Sequence, residues 1–250
     1  MNIHKLMISA FIFLIFSSVF TSCSDLNVES LGGKLNTPYC AQNPGLCSTI
    51  TDKRDLNVYA VAKIGSQEWM AENLNYGTIS PVSSQQKTGQ KWCYDNNEAQ
   101  CQKYGGLYQW ANSVGLGDSA LCNFQICGTN LFGTVDGLCP EGYRLPSAAD
   151  WKVLANFLAT KEQTASVTLK SLLEWVVPGS DEVGFFALPA GLYEYKSKAF
   201  VELKKSTYYL SLSEDDDLNI VSRALLDSSS RFIEYSMEKA NGYSVRCIKK

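Results

Sequence analysis

An α+β fold built around a twisted antiparallel sheet is predicted by three features of this chain. Amphipathic helical stretches cluster before Pro178, short alternating strands follow it, and an alternating hairpin begins near Leu56. Helices and strands segregated in this way favour an α+β design over alternating parallel units. The hairpin is read from Val58, Ala60 and Ala62 alternating with Tyr59, Val61 and Lys63, then a turn at Ile64-Gly65-Ser66-Gln67 and a return through Glu68-Trp69-Met70. Leu107, Trp110, Ala111 and Val114 fall at helical spacing, which predicts a short helix over 107–114. The clearest helix starts at Ser147. This residue is an N-cap with Asp150 three positions on, and Trp151, Leu154, Ala155 and Leu158 then form one apolar stripe. A further short helix is expected over Thr168–Trp175 before Pro178-Gly179. Strands are expected at Gly184–Leu188, with Leu192–Tyr195 as its partner across Pro189-Ala190-Gly191. Others follow at Thr207–Ser213, Asn219–Leu226, Arg231–Ser236 and Tyr243–Ile248.

The first 22 residues have the layout of an export signal. Lys5 precedes an apolar run from Leu6 to Phe20, and small residues lead up to Cys23. A membrane span needs about 20 consecutive apolar residues, and Ser9, Ser17 and Ser18 interrupt this run. Phe20-Thr21-Ser22-Cys23 resembles a bacterial lipoprotein signal, in which the cysteine becomes the lipidated first residue. The alternative is an ordinary cleaved signal with a free cysteine nearby. The lipoprotein reading places the protein in the bacterial envelope, anchored to a membrane, at the outer membrane or cell surface. Residues 23–52 then form a polar tether with Gly32-Gly33, Pro38 and Pro44, and residues 53–250 form the domain.

Composition narrows the chemistry. The chain has 22 basic and 25 acidic residues and no basic run, so nothing favours nucleic acid as a partner. Its single histidine is His4, inside the signal. Without imidazole, Ser-His-Asp and Cys-His nucleophiles are excluded, as are the common His-dependent zinc and iron sites. Carboxylate chemistry, oxygen-ligated calcium or no catalysis remain.

Nine cysteines are present, and eight remain once Cys23 is assigned to lipid. Export into an oxidising compartment makes disulfides the expectation. Three pairs are close in sequence: Cys40 with Cys47, Cys93 with Cys101, and Cys122 with Cys127. Cys139 and Cys247 are left over. Eight cysteines permit roughly a hundred connectivities, so spacing alone leaves the pairing open. Cysteine ligation of a metal is the rival reading, but no Cys-x-x-Cys pair occurs.

Several blocks together resemble the Fibrobacter succinogenes major paralogous domain, a family of exported bacterial proteins. They are 64–75 (IGSQEWMAENLN), Cys93-Tyr94-Asp95-Asn96 through Cys101, 104–110 (YGGLYQW), and 139–147 (CPEGYRLPS) with Asp150-Trp151. Gly184-Phe185 with 187–191 (ALPAG) and 241–247 (NGYSVRC) complete the series. The resemblance implies a C-type-lectin-like architecture, with two main helices and a twisted antiparallel sheet, and a disulfide from Cys139 to Cys247 in the last strand. It implies a surface protein without an assigned activity. The Cys122–Cys127 segment looks like an insertion, and the calcium-dependent sugar motifs of true C-type lectins are absent.

Candidate sites are few. Glu214-Asp215-Asp216-Asp217 is the densest acidic run. Glu214, Asp215 and Asp217 could offer calcium hard oxygen ligands, against the plainer reading of a solvated turn. Trp69, Met70 and Leu74 are read as core, with Glu72, Asn73 and Asn75 bonding local backbone. Tyr193, Tyr195, Tyr208 and Tyr209 lie near turns in the β half, and with Glu214 they are candidates for an exposed binding surface, since tyrosine combines a rigid apolar body with a polar tip. No residue pair is singled out as catalytic. The expected function is a non-catalytic extracellular binding or scaffolding domain whose ligand is a polysaccharide or another surface protein. A carboxylate-based glycan hydrolase and a purely structural envelope protein are the alternatives.

Overall fold

The computed structural model describes residues 37–128, 135–161 and 164–250. Cys23 and the segment read as an export signal lie outside them. Thr37 caps α1 (Pro38–Gln42) by accepting from the Cys40 backbone N–H, and β1 (Cys47–Thr51) follows. β1 pairs antiparallel with β2 (Val58–Ile64), which turns at Gly65 into β3 (Gln67–Met70). Gly65 has φ of +60°, the left-handed backbone that glycine adopts without steric cost. Next come β4 (Thr78–Ile79), β5 (Gln90–Lys91), α2 (Glu98–Tyr104), β6 (Leu107–Tyr108) and α3 (Trp110–Ser113). Beyond them lie β7 (Tyr143–Arg144), α4 (Ala148–Leu158) and α5 (Ala165–Leu169). The chain ends through β8 (Leu192–Glu194), β9 (Ala199–Val201), β10 (Ser206–Tyr209), β11 (Asn219–Leu226), β12 (Ile233–Glu238), β13 (Tyr243–Ser244) and β14 (Ile248–Lys249).

Two five-stranded sheets carry the fold, in the orders β1-β2-β3-β14-β7 and β12-β11-β10-β13-β6. All their pairings are antiparallel except β10 with β13, which run parallel through Tyr209 and Ser244. The class is therefore α+β, and it is disulfide-rich. Cys40 joins Cys47, Cys93 joins Cys101, Cys122 joins Cys127, and Cys139 joins Cys247. The last bridge spans 108 residues, a separation worth about 4–5 kcal/mol in the chain-entropy account.

The core follows from the apolar stripes. Ser147 and Asp150 form a complete capping box, which starts α4 where the sequence places it. Trp151, Leu154 and Leu158 then turn one face inward, and the Trp151 ring stacks on Trp69 at 4.5 Å. Phe185, Tyr209, Leu225 and Phe232 complete this cluster. A second cluster gathers Tyr108, Trp110, Tyr243 and Val245 around the Cys139–Cys247 bridge. Arg246 is fully buried between them. Its guanidinium donates to Asn73 Oδ1 and to the carbonyls of Met70 and Phe185, and it stacks over the Phe185 ring.

Several sequence expectations need correction. Residues 37–52 are not all tether, because β1 adds an edge strand to the first sheet and Cys40–Cys47 ties α1 to it. Strands before α4 extend beyond the expected opening hairpin, since β1 and β4–β7 precede it as well. Leu107 and Tyr108 form a strand, and only Trp110–Ser113 is helical. The expected helix at 168–175 lies at Ala165–Leu169, where Thr164 supplies the cap. Gly184–Leu188 is no strand: Gly184 and Phe186 adopt positive φ, and β8 pairs with β9 instead. The final strand is divided, with β13 in one sheet and β14 in the other. Helix α2, capped by Asn97, escaped the apolar pattern because only Cys101 and Tyr104 of it are buried.

Candidate ligand-binding face

The β10–β11–β12 ladder decides which tyrosines are available. Tyr208 pairs with Ala224, and Ser222 pairs with Tyr235. Because side chains alternate with a period of two, Tyr208, Ala224, Ser222, Ile233 and Tyr235 share one face. Tyr209, Arg223 and Leu225 take the other face, under α4. The tyrosines differ in burial, although Ala224 and Ser222 beside Tyr208 are fully buried. Tyr209 is fully buried against Trp151 and Phe185, whereas Tyr208 is half-buried and Tyr235 is 39% exposed.

On its own face the Tyr208 ring lies 6.4 Å from the exposed Tyr235 and 6.3 Å from the buried Tyr243. Glu202, in the turn between β9 and β10, accepts from the Tyr208 hydroxyl at 2.7 Å and from the Ser206 hydroxyl. Burial, reinforced by this carboxylate, holds the Tyr208 pKa above the ordinary phenol value. The hydroxyl therefore stays protonated at neutral pH and orients Glu202. The result is a short aromatic strip with an acceptor at one end. Such a strip can stack on a flat apolar surface and accept hydrogen bonds from hydroxyls beside it.

The other sequence candidates are dispersed. Tyr193 is buried, contrary to expectation: its ring packs between Trp92 and Phe200, and its hydroxyl donates to the Val82 carbonyl. Tyr209 is corrected in the same way, and it belongs to the core beneath α4. Tyr195 is half-buried and lies 6.1 Å from the exposed Phe124 ring, beside the Cys122–Cys127 loop. Tyr235 was not singled out by sequence. Its alternation in β12 was legible, but its approach to Tyr208 depends on strand pairing.

Glu214 has a different role from the one expected. Its carboxylate meets Lys239, whose side chain is completely buried, and also accepts from the Cys127 and Gly128 backbone N–H groups. Lys239 Nζ further donates to the carbonyls of Gln125 and Asp217 and lies 4.9 Å from the centre of the Trp110 ring. Asp215 accepts from Ser236, and Asp216 caps Leu218 and Asn219. The acidic run thus spreads over separate partners. The Lys239 ammonium lies directly beside the Glu214 carboxylate. Among the described residues, no three His, Cys, Asp or Glu side chains are grouped to hold a metal ion. Among the described residues, a shallow hollow between the end of α4 and Ser230–Phe232 is lined by Leu158, Lys161, Thr164, Arg231 and Phe232.

The family described as the Fibrobacter succinogenes major domain matches residues 62–249 of this sequence. The chain belongs to this family. No curated protein matches the chain, and no solved structure matches it. Within the Fibrobacter succinogenes major domain lie both aromatic clusters, the Cys139–Cys247 bridge and the Tyr208–Tyr235 face. β1 and the Cys40–Cys47 bridge precede the matched region.

Proposed function

We propose that this member of the Fibrobacter succinogenes major domain family is a lipid-anchored envelope protein whose domain binds an extracellular ligand without catalysis. The domain is read as C-type-lectin-like, and its long bridge to the segment before the last strand supports that reading. The ligand class is a polysaccharide or a surface protein. The observation that carries this reading is the Tyr208–Tyr235 strip with Glu202 at its end, two tyrosines held partly open on a sheet face. Binding is expected to need no calcium, because Lys239 already neutralises Glu214. No hydrolysis is expected, because Glu202 is read as a binding acceptor and not as one of a catalytic carboxylate pair.

The test is a glycan array, with a hydrolysis screen alongside, on the full chain purified from membranes. Tyr235→Ala and Tyr208→Ala should each weaken any captured polysaccharide by about 1–2 kcal/mol, within the range for a partly exposed aromatic contact. Chelation with EDTA should leave binding unchanged. Product release abolished by one Asp or Glu substitution would overturn the non-catalytic reading. Binding indifferent to both tyrosines would remove this face from it.

A further inference from the structure

A second surface is unlike the tyrosine face. Ser171–Gly179 forms a closed loop between α5 and the Asp181–Phe186 turn. The Gly179 N–H donates to the Ser171 carbonyl at its base, where a Cβ on Gly179 would strike the Lys170 carbonyl. Trp175 points inward and donates from Nε1 to the Ala187 carbonyl at 2.7 Å. The Val177 N–H donates to Asp227 Oδ1, also at 2.7 Å. Glu174 is held by the Lys103 ammonium and the Tyr104 hydroxyl, with Lys204 at 3.4 Å. These bonds fix the backbone while turning aliphatic side chains outward. Leu172 is 48% exposed, Val176 75% and Val177 56%. Three of the twelve exposed large hydrophobics among the described residues thus fall within six positions, a concentration that solvent alone does not favour.

The chemistry around the loop favours one occupant. Lys103 and Lys204 flank Glu174, and Lys205 is exposed next to them, its carbonyl accepting from the Asp227 N–H. With the buried Lys170, whose ammonium lies 4.3 Å from the centre of the Trp175 ring, the neighbourhood holds four cations. Glu174 and Asp227 are the anions that bond the loop, and Glu182 and Glu202 are exposed beside it. Among the described residues, Lys205 is therefore the lysine of this group that is exposed and without an acidic partner. Protein-binding hot spots are enriched in exposed Trp, Tyr and Arg, and none projects from this loop. Branched aliphatic side chains rimmed by lysine ammoniums instead suit the interfacial layer of a bilayer with anionic headgroups.

Chain length adds a second argument. Cys23 precedes Thr37 by 14 residues, a reach of at most about 50 Å when extended. A lipid on Cys23 would hold the loop at high effective concentration near a membrane, so a weak contact would suffice.

We propose that Ser171–Gly179 docks the domain onto the bilayer. Val176, Val177 and Leu172 enter the headgroup layer, and Lys205, with the more loosely paired Lys204 beside it, meets anionic lipid. This rests on the envelope-anchor reading, and the test separates the two. The full chain is reconstituted in vesicles of phosphatidylcholine with phosphatidylglycerol carrying brominated acyl chains, and tryptophan emission is read. Trp69, Trp92, Trp110 and Trp151 have no exposed surface, whereas Trp175 is 6% exposed within the loop, so bromine quenching reports on the loop. Quenching is expected. It should fall at least about threefold in V176D/V177D, whose wild-type side chains are already exposed. Lys205→Glu should reduce it in the anionic vesicles. A chain that floats with the vesicles in high salt but shows no quenching refutes the loop, as does quenching unchanged in V176D/V177D. A chain that fails to float in high salt refutes the anchor.

Discussion

Asp181→Asn is expected to stabilise this protein above pH 7 and to flatten its stability profile between pH 5 and 8. The Asp181 side chain is 1% exposed. Its Oδ1 accepts from the Phe186 N–H at 2.7 Å, and its Oδ2 has no hydrogen-bond partner among the described residues. Burial pushes the carboxyl up to about 8, although the backbone N–H of Phe186 and the charge of Arg246 pull it down. The folded state thus keeps a proton that the unfolded chain releases near pH 4. For a group raised in this way, stability is fully present below the unfolded pKa and falls as pH rises toward the folded one. The slope reaches about 1.4 kcal/mol per pH unit inside that window. From an ordinary value of 3.8 to about 8, the loss accumulates to on the order of 5 kcal/mol. Asparagine has nearly the same shape, keeps an acceptor for the Phe186 N–H and does not ionise.

The assay is guanidinium unfolding with disulfides intact at pH 5, 6, 7 and 8. The sequence simplifies its interpretation: the chain's single histidine is His4, so no imaginable imidazole in the domain titrates in that range. Wild-type stability should fall across the series, and the Asp181→Asn profile should be nearly level. A wild-type profile that is flat or rises, or a variant that keeps the slope, would refute the reasoning.

Two further substitutions separate the roles of neighbouring groups. Glu214→Gln leaves the buried Lys239 ammonium without its anion and should cost about 3–5 kcal/mol in chemical unfolding at pH 7; a cost below about 1 kcal/mol would show that water reaches the pair. Tyr209→Ala should cost about 3–5 kcal/mol, as for other large aromatic truncations in a core. Tyr208→Ala, one residue earlier, should cost about 1 kcal/mol from its lost hydrogen bond. Thermal unfolding of the two side by side checks the assignment of faces, and equal losses would contradict it.

What could be read from the chain was local. The Ser147–Asp150 box, the helical stripe of Trp151, Leu154 and Leu158, and the Gly65 turn each encode their element within a few residues. The strand at Asn219–Leu226 is legible at its true limits because Ile220-Val221 and Ala224-Leu225-Leu226 flank Ser222-Arg223 between turn residues. The family blocks pointed to Cys139 and Cys247 before any geometry did. Elements that borrow their hydrogen bonds from distant segments were missed. β1 is polar and short, and only the edge of β2 makes it a strand. Gly184–Leu188 looks extended by composition, but the buried Asp181 carboxyl binds the Phe186 N–H and holds this segment in a turn.

The same division applies to the candidate site. Alternation alone says that Tyr208 and Tyr209 face opposite ways, and it says that the acidic run at Glu214 is dense. Tertiary structure decides the rest. α4 covers the face of Tyr209, strand pairing brings Tyr235 to Tyr208, and the fold delivers Lys239 to Glu214 from 25 residues away. Periodicity is a property of neighbouring residues and survives in a sequence. Which face is buried, and which charge is neutralised, depends on contacts between segments that the chain order does not record.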